Sequence, residues 1–302
     1  SSDRIGSESN NLQPVRWRHF SARVFSILTV RVSGALCLFL LYAVLSRYLP
    51  VDTGGYAMYG LSLIIFFGAV GRLGMDRYIE KTASRCFSEA RYEDLGSLYQ
   101  VALTIGFVAL GSIAVLLIVF AKTIALMVFG KPELEAIIRF SAPGIASFGL
   151  SGILAHFYLG IRRPAFGISL LNLLGPLCCV VLFLLLEPES PERIGMIFSA
   201  GFGLPVLLGI WGWPFRVGGG AGVPGLAGTL KGCMNFWVLV LVQQMIQLSN
   251  QLIGVRFFTP EDFAALAVGH RVTQLIPLIL VATNAFNGAR FASLDLVKDR
   301  HQ

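Results

Sequence analysis

The amino-acid sequence predicts an all-α integral membrane protein of about eight transmembrane helices, and three observations carry that expectation. Charged residues make up 14% of the 302, against about a quarter in soluble domains. Eight stretches meet or approach the ~20 residues that a helix needs to cross a hydrocarbon core. The Lys and Arg residues fall in short clusters between those stretches, the pattern in which membrane topology is written. Strands are a poor alternative, because barrel strands alternate apolar and polar side chains. Runs such as Val115–Phe120 and Val180–Leu186 do not.

Residues 1–23 are polar and Arg-bearing and read as a cytoplasmic N-terminal segment. The apolar run behind them is too long for a secretory signal, and no small-x-small cleavage site follows it, so it reads as a retained span. The expected spans are Val24–Leu45, Tyr56–Gly71, Leu98–Ala121, Ile137–Leu159, Ala165–Leu186, Ile194–Trp213, Cys233–Val255 and Phe263–Asn284. The second is short. Ala121–Ala136, broken by Gly130, Lys131 and Pro132, reads as a short helix at the outer interface. Pro214–Gly228 is Gly-rich without the Gly-Lys-Ser/Thr ending of a phosphate-cradling loop. It reads as a flexible cytoplasmic linker separating six spans from two. Pro143, Pro176, Pro205 and Pro277, with Gly144 and Gly175, are expected to interrupt their helices, as hinges or as tolerated packing features.

Orientation follows from the basic residues. With the N-terminus inside, inner segments hold sixteen Lys and Arg against six outside, which places both ends in the cytoplasm. The formal charge of +7 therefore reflects topology, and no nucleic-acid partner is expected. Cys37, Cys178, Cys179 and Cys233 lie in apolar runs and Cys86 in a basic loop, without zinc-type spacing, so they read as packing residues.

A faint repeat is present. Pro50-Val51-Asp52-Thr53-Gly54-Gly55-Tyr56 follows the first span, and Pro260-Glu261-Asp262-Phe263-Ala264-Ala265-Leu266 follows the seventh, at an offset of 210. Arg47-Tyr48 and Arg256-Phe257 precede them with a one-residue slip. Transporters built from duplicated halves carry such traces.

Ser46 to Tyr56 (Ser-Arg-Tyr-Leu-Pro-Val-Asp-Thr-Gly-Gly-Tyr), followed by Gly71-Arg72-Leu73-Gly74-Met75-Asp76-Arg77, resembles a known family. It is the polysaccharide (O-antigen and exopolysaccharide) flippases of the multidrug/oligosaccharidyl-lipid/polysaccharide exporter superfamily. There the first span runs into an Arg-x-Leu-Gly-x-x-x-(Phe/Tyr)-Gly outer turn, and the second ends in Gly-Leu-Gly before a charged inner segment. Pro50 stands where Gly is usual. Glu80–Asp94 is similar to the family's inner loop. Asn250–Ile279 is similar to its seventh and eighth spans, without the acidic residue often found near Asn250. The resemblance implies two six-helix lobes around a central cavity, alternating access and a lipid-linked sugar cargo. On this reading residues 24–213 form the first six-helix lobe and 214–232 the cytoplasmic linker. Residues 233–302 supply the first two helices of a second lobe and a cytoplasmic tail, and a C-terminal truncation is expected.

No Ser/His/Asp arrangement and no carboxylate within a span appears, so no catalytic residue, metal site or cofactor is expected. His156 and His270 lack metal-ligand neighbours in sequence. Polar residues inside spans are costly and so informative. Arg31 lies about seven residues, ~10 Å, from the inner end of the first span. It either snorkels to headgroups or faces a cavity. Arg271 sits at similar depth in the eighth span, with His270 and Gln274 beside it. The seventh span carries Gln243, Gln244, Gln247, Asn250 and Gln251. Spacings 243/247/250 and 244/247/251 predict one polar stripe that must face protein or water. Amides suit sugar hydroxyls because each both donates and accepts. The candidate substrate-binding residues are therefore Arg31, Gln243, Gln247, Asn250, Gln251, His270, Arg271 and Gln274.

The function expected is export of a lipid-linked oligosaccharide across the bacterial inner membrane, with the bilayer, the lipid-linked glycan and other glycan-assembly membrane proteins as partners. A cation-coupled multidrug exporter, a non-transporting scaffold and an enzyme acting on lipid-linked substrates are the rivals.

Overall fold

The computed structural model describes residues 17–218, 220, 222 and 225–273, and every regular element within them is helical. In chain order these are α1 (Trp17–Tyr48), α2 (Val51–Val70), α3 (Met75–Ser88), α4 (Tyr92–Thr123), α5 (Leu134–Gly160), α6 (Pro164–Ile168), α7 (Leu174–Leu186), α8 (Pro191–Trp211), α9 (Leu226–Gly254) and α10 (Pro260–Thr273). α4 continues in π register through Ile124–Phe129, and a π segment, Ser169–Leu173, joins α6 to α7. Among the described residues seven of the resulting rods are long and apolar enough to cross a membrane. The chain is an all-α multi-pass membrane protein. The eighth expected span is described only to Thr273, as α10.

Several boundaries differ from the sequence reading. The second span is a full 20-residue helix beginning at Val51 behind Pro50. Asp52 to Gly55, expected ahead of the span in the outer turn that the resemblance implies, are helical, and glycine at 54 and 55 admits neighbouring backbone. A Cβ on Gly54 would lie 3.2 Å from the Leu45 carbonyl, and one on Gly55 would run into the Pro260 carbonyl. The separate interfacial helix expected over Ala121–Ala136 is not formed. The third rod runs unbroken from Tyr92 to Phe129 and stops at Gly130, which adopts φ +67°. α5 runs through Pro143 and α8 through Pro205, and Pro277 lies outside the described residues.

α5 is the hub, packed against α2, α3, α4 and α8. Lipid tails are as apolar as leucine, so membrane helices associate by close packing, and small residues allow it. Gly144, Gly149, Gly152 and Gly160 lie along α5. A Cβ on Gly160 would come within 2.7 Å of Ala83 on α3, and one on Gly149 would strike the methyls of Leu110 on α4. Across the same contact, Gly68 of α2 receives the Phe148 ring.

The linker between α8 and α9 is tied down. Trp213 stacks on Tyr99 with ring centroids 4.2 Å apart, and Phe215 stacks on Tyr92 at 5.2 Å. The Gly220 amide donates to Ser97 Oγ (2.8 Å) and the Gly222 amide to Asp94 Oδ1 (2.9 Å). The stretch expected to be flexible is thus strapped across the start of α4. It also ends at Gly225, earlier than the expected 232. Gly228 and Gly232 belong to α9, where Gly232 lets the Tyr78 ring of α3 approach.

At the opposite end of the bundle, two cations pin the α9–α10 turn to the α4–α5 turn. Lys131 Nζ donates to the Phe258 carbonyl (2.6 Å), and Arg256 Nη1 to the Val128 carbonyl (2.7 Å).

Replacing Gly149 by Val places branched methyls against Leu110 and the Gly68 carbonyl. The expected cost is about 1–3 kcal/mol of overpacking, read as a lowered thermal midpoint in detergent. Gly111→Val on the same α4–α5 side of the bundle, where a Cβ meets nothing within 4 Å, is expected to leave the midpoint close to wild type.

Candidate functional site

Pro176 shapes the helix that borders a cavity between the spans. It has no N–H for the carbonyl of Asn172, four residues back, and it clashes there in α register. The ladder upstream widens to π register over Ser169–Leu173, a device that recurs at functional sites. Gly34 of α1 comes close to this bulge, since a Cβ there would sit 3.0 Å from the Asn172 backbone. Between α1, α2, α5, the bulge, α8 and α10 lies a cavity of about 350 Å³. Its polar lining is Arg31, Asn172 and Arg271, and its walls are apolar, with Leu38, Ile65, Phe148 and Phe202 among them. Among the described residues no carboxylate lines it.

Arg271 is 6% exposed. Its Nη2 donates to the Tyr42 hydroxyl at 2.9 Å, and its guanidinium carbon stands 4.8 Å from the Tyr42 ring centroid. The ring face attracts the guanidinium and the hydroxyl accepts from it. Arg31 is exposed and lies about 16 Å below Tyr42 along α1, at helical rise. The two cations singled out in sequence, 240 residues apart, thus share one cavity.

The predicted polar stripe of the seventh span splits in two. Gln251 is fully buried against α2, where Ser62 Oγ lies 2.7 Å from its amide oxygen and 2.9 Å from the Met58 carbonyl. One hydroxyl hydrogen cannot serve both. The amide orientation that lets Gln251 Nε2 donate to Ser62 while Ser62 donates to Met58 is the consistent one. Gln243, Gln247 and Asn250 point the other way and are exposed. None of the four lines the cavity. The stripe fails because residues 244, 248 and 251 already fill the face that meets α2, and 243/247/250 lies about a third of a turn away. His270 is half-buried and outside the cavity lining. Gln274 lies outside the described residues.

A second polar cluster lies at the junction of α2, α3 and α5. Arg72, 7% exposed, places Nε 2.9 Å from Asp76 Oδ1, out of line for a hydrogen bond but close enough for a charge contact. Its guanidinium also lies 5.8 Å from the Phe148 ring centroid. His156 of α5 reaches both carboxylates of α3, with Nε2 3.7 Å from Asp76 Oδ2 and Nδ1 3.5 Å from Glu80 Oε2. Gly152 makes room, since a Cβ there would overlap the Arg72 side chain. The His156 imidazole holds the Glu80 carboxyl below its ordinary range, helped by Arg77 and opposed by burial. Asp76 and Glu80 at i,i+4 were visible in sequence. His156 arrives from a distant helix, so no spacing signals it. Tyr42 and Asn172 were likewise not anticipated. Among the described residues no group of three or more His, Cys, Asp or Glu could hold a metal ion.

Comparison with protein-family models, curated proteins and solved structures finds no match to this chain.

Two outcomes test the geometry. Tyr42→Phe removes the acceptor for Arg271 but keeps the ring, and is expected to destabilise by about 1.5–3 kcal/mol. Tyr42→Ala should cost more, and both are read from unfolding in detergent. Glu80, with its folded-state pKa depressed, contributes stability above the ordinary carboxylate value of about 4.3 and loses it as pH falls through the depressed value. Glu80→Gln should therefore lower the thermal midpoint at neutral pH and narrow its gap to wild type below that value.

Proposed function

We propose that this chain carries the headgroup-binding cavity of a flippase for an anionic lipid-linked oligosaccharide in the bacterial inner membrane. The observation that supports it most is the pairing of Arg31 and Arg271 in one apolar-walled cavity, with no carboxylate among its described lining residues. Two cations set in a low-dielectric surround attract a phosphate or diphosphate far more strongly than they would in water, and arginine forks match phosphate oxygens. Asn172 adds donor and acceptor groups for a sugar. The lipid tail stays in the bilayer while the headgroup occupies the cavity. The N-terminus faces the cytoplasm on this reading, as the distribution of Lys and Arg favours.

A second reading, a proton-coupled exporter of cationic drugs, draws on the Asp76–His156–Glu80 cluster, which offers groups that take up a proton. The same two arginines disfavour it, because a cationic cargo would meet like charge in the cavity.

The test uses the intact protein in proteoliposomes with a fluorescent lipid-linked diphosphate sugar. Arg31→Ala and Arg271→Ala are each expected to weaken its binding about 10-fold to 100-fold, the loss of one charge-assisted contact, and to slow translocation. Both variants binding and moving the lipid as wild type does, at equal protein level, would sink the reading. A cationic dye exported by wild type, and lost on Asp76→Asn, would favour the second.

A further inference from the structure

α3 follows directly on one span and leads directly into another, and its 14 residues are divided by face. Met75, Ile79, Ala83 and Cys86 are buried against the bundle, while Arg77, Lys81 and Arg85 are exposed at successive i,i+4 positions. The buried face fixes the helix at the end of the spans, at the depth where lipid headgroups lie, and turns three cations outward. That end of the bundle is the basic one. From Arg72 to Lys231 it carries nine Lys and Arg against five Asp and Glu, whereas the opposite end carries six against eight.

Between α3 and α9 a groove of about 400 Å³ opens to the outside, lined by Arg77, Glu80, Lys81, Ser84 and Phe236. It shares no lining residue with the cavity of Arg31 and Arg271. Glu80, the one acid among its described lining residues, lies 3.5 Å from His156 and 3.7 Å from Arg77 Nη1, and with Arg77 and Lys81 beside it the described wall is net positive. Arg77, Lys81 and Ser84 present a guanidinium, an ammonium and a hydroxyl on one side, and Phe236 an aromatic edge on the other. Beyond Phe236, the exposed apolar side chains Leu239, Val242 and Ile246 continue along the same helix.

We infer that this groove is a binding site for the headgroup of an anionic phospholipid. The phosphate is held by Arg77, Lys81 and Ser84, the glycerol region meets Phe236, and the acyl chains lie along α9. Basic pockets between membrane helices take such headgroups through charge-assisted contacts. A zwitterionic lipid brings its own cation to the same wall and gains less.

The experiment is native mass spectrometry of the detergent-purified chain exchanged with phosphatidylglycerol or phosphatidylcholine. Wild type is expected to retain phosphatidylglycerol in preference, and equal retention of the two lipids would overturn the inference without any variant. Each cation near the headgroup is worth about a fivefold change in binding. Arg77→Gln/Lys81→Gln should therefore retain about 25-fold less phosphatidylglycerol, while Arg162→Gln/Arg163→Gln, with the same charge change at the same end, stays within about twofold. Equal losses in the two double variants would reduce the effect to general charge attraction and overturn the site. Displacement of phosphatidylglycerol by inorganic phosphate alone would also overturn it, in favour of a free-anion site. Phe236→Ala, which leaves the charge unchanged, should weaken retention of phosphatidylglycerol, and unchanged retention would remove the aromatic wall from the site.

Discussion

Close approach along one helix is the constraint on which the rest of this structure depends. In a bilayer there is no gain from hiding leucine against leucine, so helices associate only where their surfaces interlock. α5 meets that requirement with glycine at the positions facing α2, α3 and α4. Because those neighbours come so near, α5 contributes to the cavity, to the Arg72–Asp76–Glu80 cluster and to the packing of the linker. Phe148 walls the cavity, Gly152 admits Arg72, His156 reaches the two carboxylates of α3, and Phe157 packs edge-on to Trp213 of the linker.

The same constraint explains how buried cations are tolerated. Removing a guanidinium from water costs several kcal/mol unless other contacts compensate. Arg72 is compensated by Asp76 one turn away, which fixes it as part of the framework. Arg271 lines the cavity, donates to the Tyr42 hydroxyl and stands over the Tyr42 ring. Two arginines buried to nearly the same degree thus sit in different surroundings, one beside a carboxylate at the α2–α3 turn and the other over a tyrosine at the cavity.

The legible part of the fold was whatever depends on composition and run length: the helical class, the number and approximate ends of the spans, and Arg31 and Arg271 as costly cations. What sequence could not reveal depends on neighbours. The second span was expected to begin at Tyr56, behind the outer turn that the family resemblance implied. The close Leu45 and Pro260 carbonyls account for glycine in the helix that forms there instead. The Gln/Asn cluster of α9 was visible, but which half of it α2 would cover was not, since periodicity fixes a face and not its partner. Tyr42 looked like one more apolar residue of the first span. Its hydroxyl acquires meaning only beside a cation from 229 residues later.

The faint repeat gains physical content from that same contact. Pro50 and Pro260 each begin a helix, α2 and α10, and the two segments meet, with Gly55 pressed to the Pro260 carbonyl. Matching pieces of sequence that pack on one another are what duplicated halves facing a shared axis would give. Ile65, which lines the cavity, is ten residues beyond Gly55, about 15 Å along α2. The crossing therefore lies over the cavity at one end, reinforced by Lys131 and Arg256 on the carbonyls of Phe258 and Val128. The Lys131 and Arg256 hydrogen bonds are contacts that water can replace. The α2–α10 crossing itself is closed by packing, with Gly55 against the Pro260 carbonyl and the buried Phe263 of α10 edge-on to Tyr59 of α2. Close approach at glycine therefore governs this end of the bundle as it governs α5.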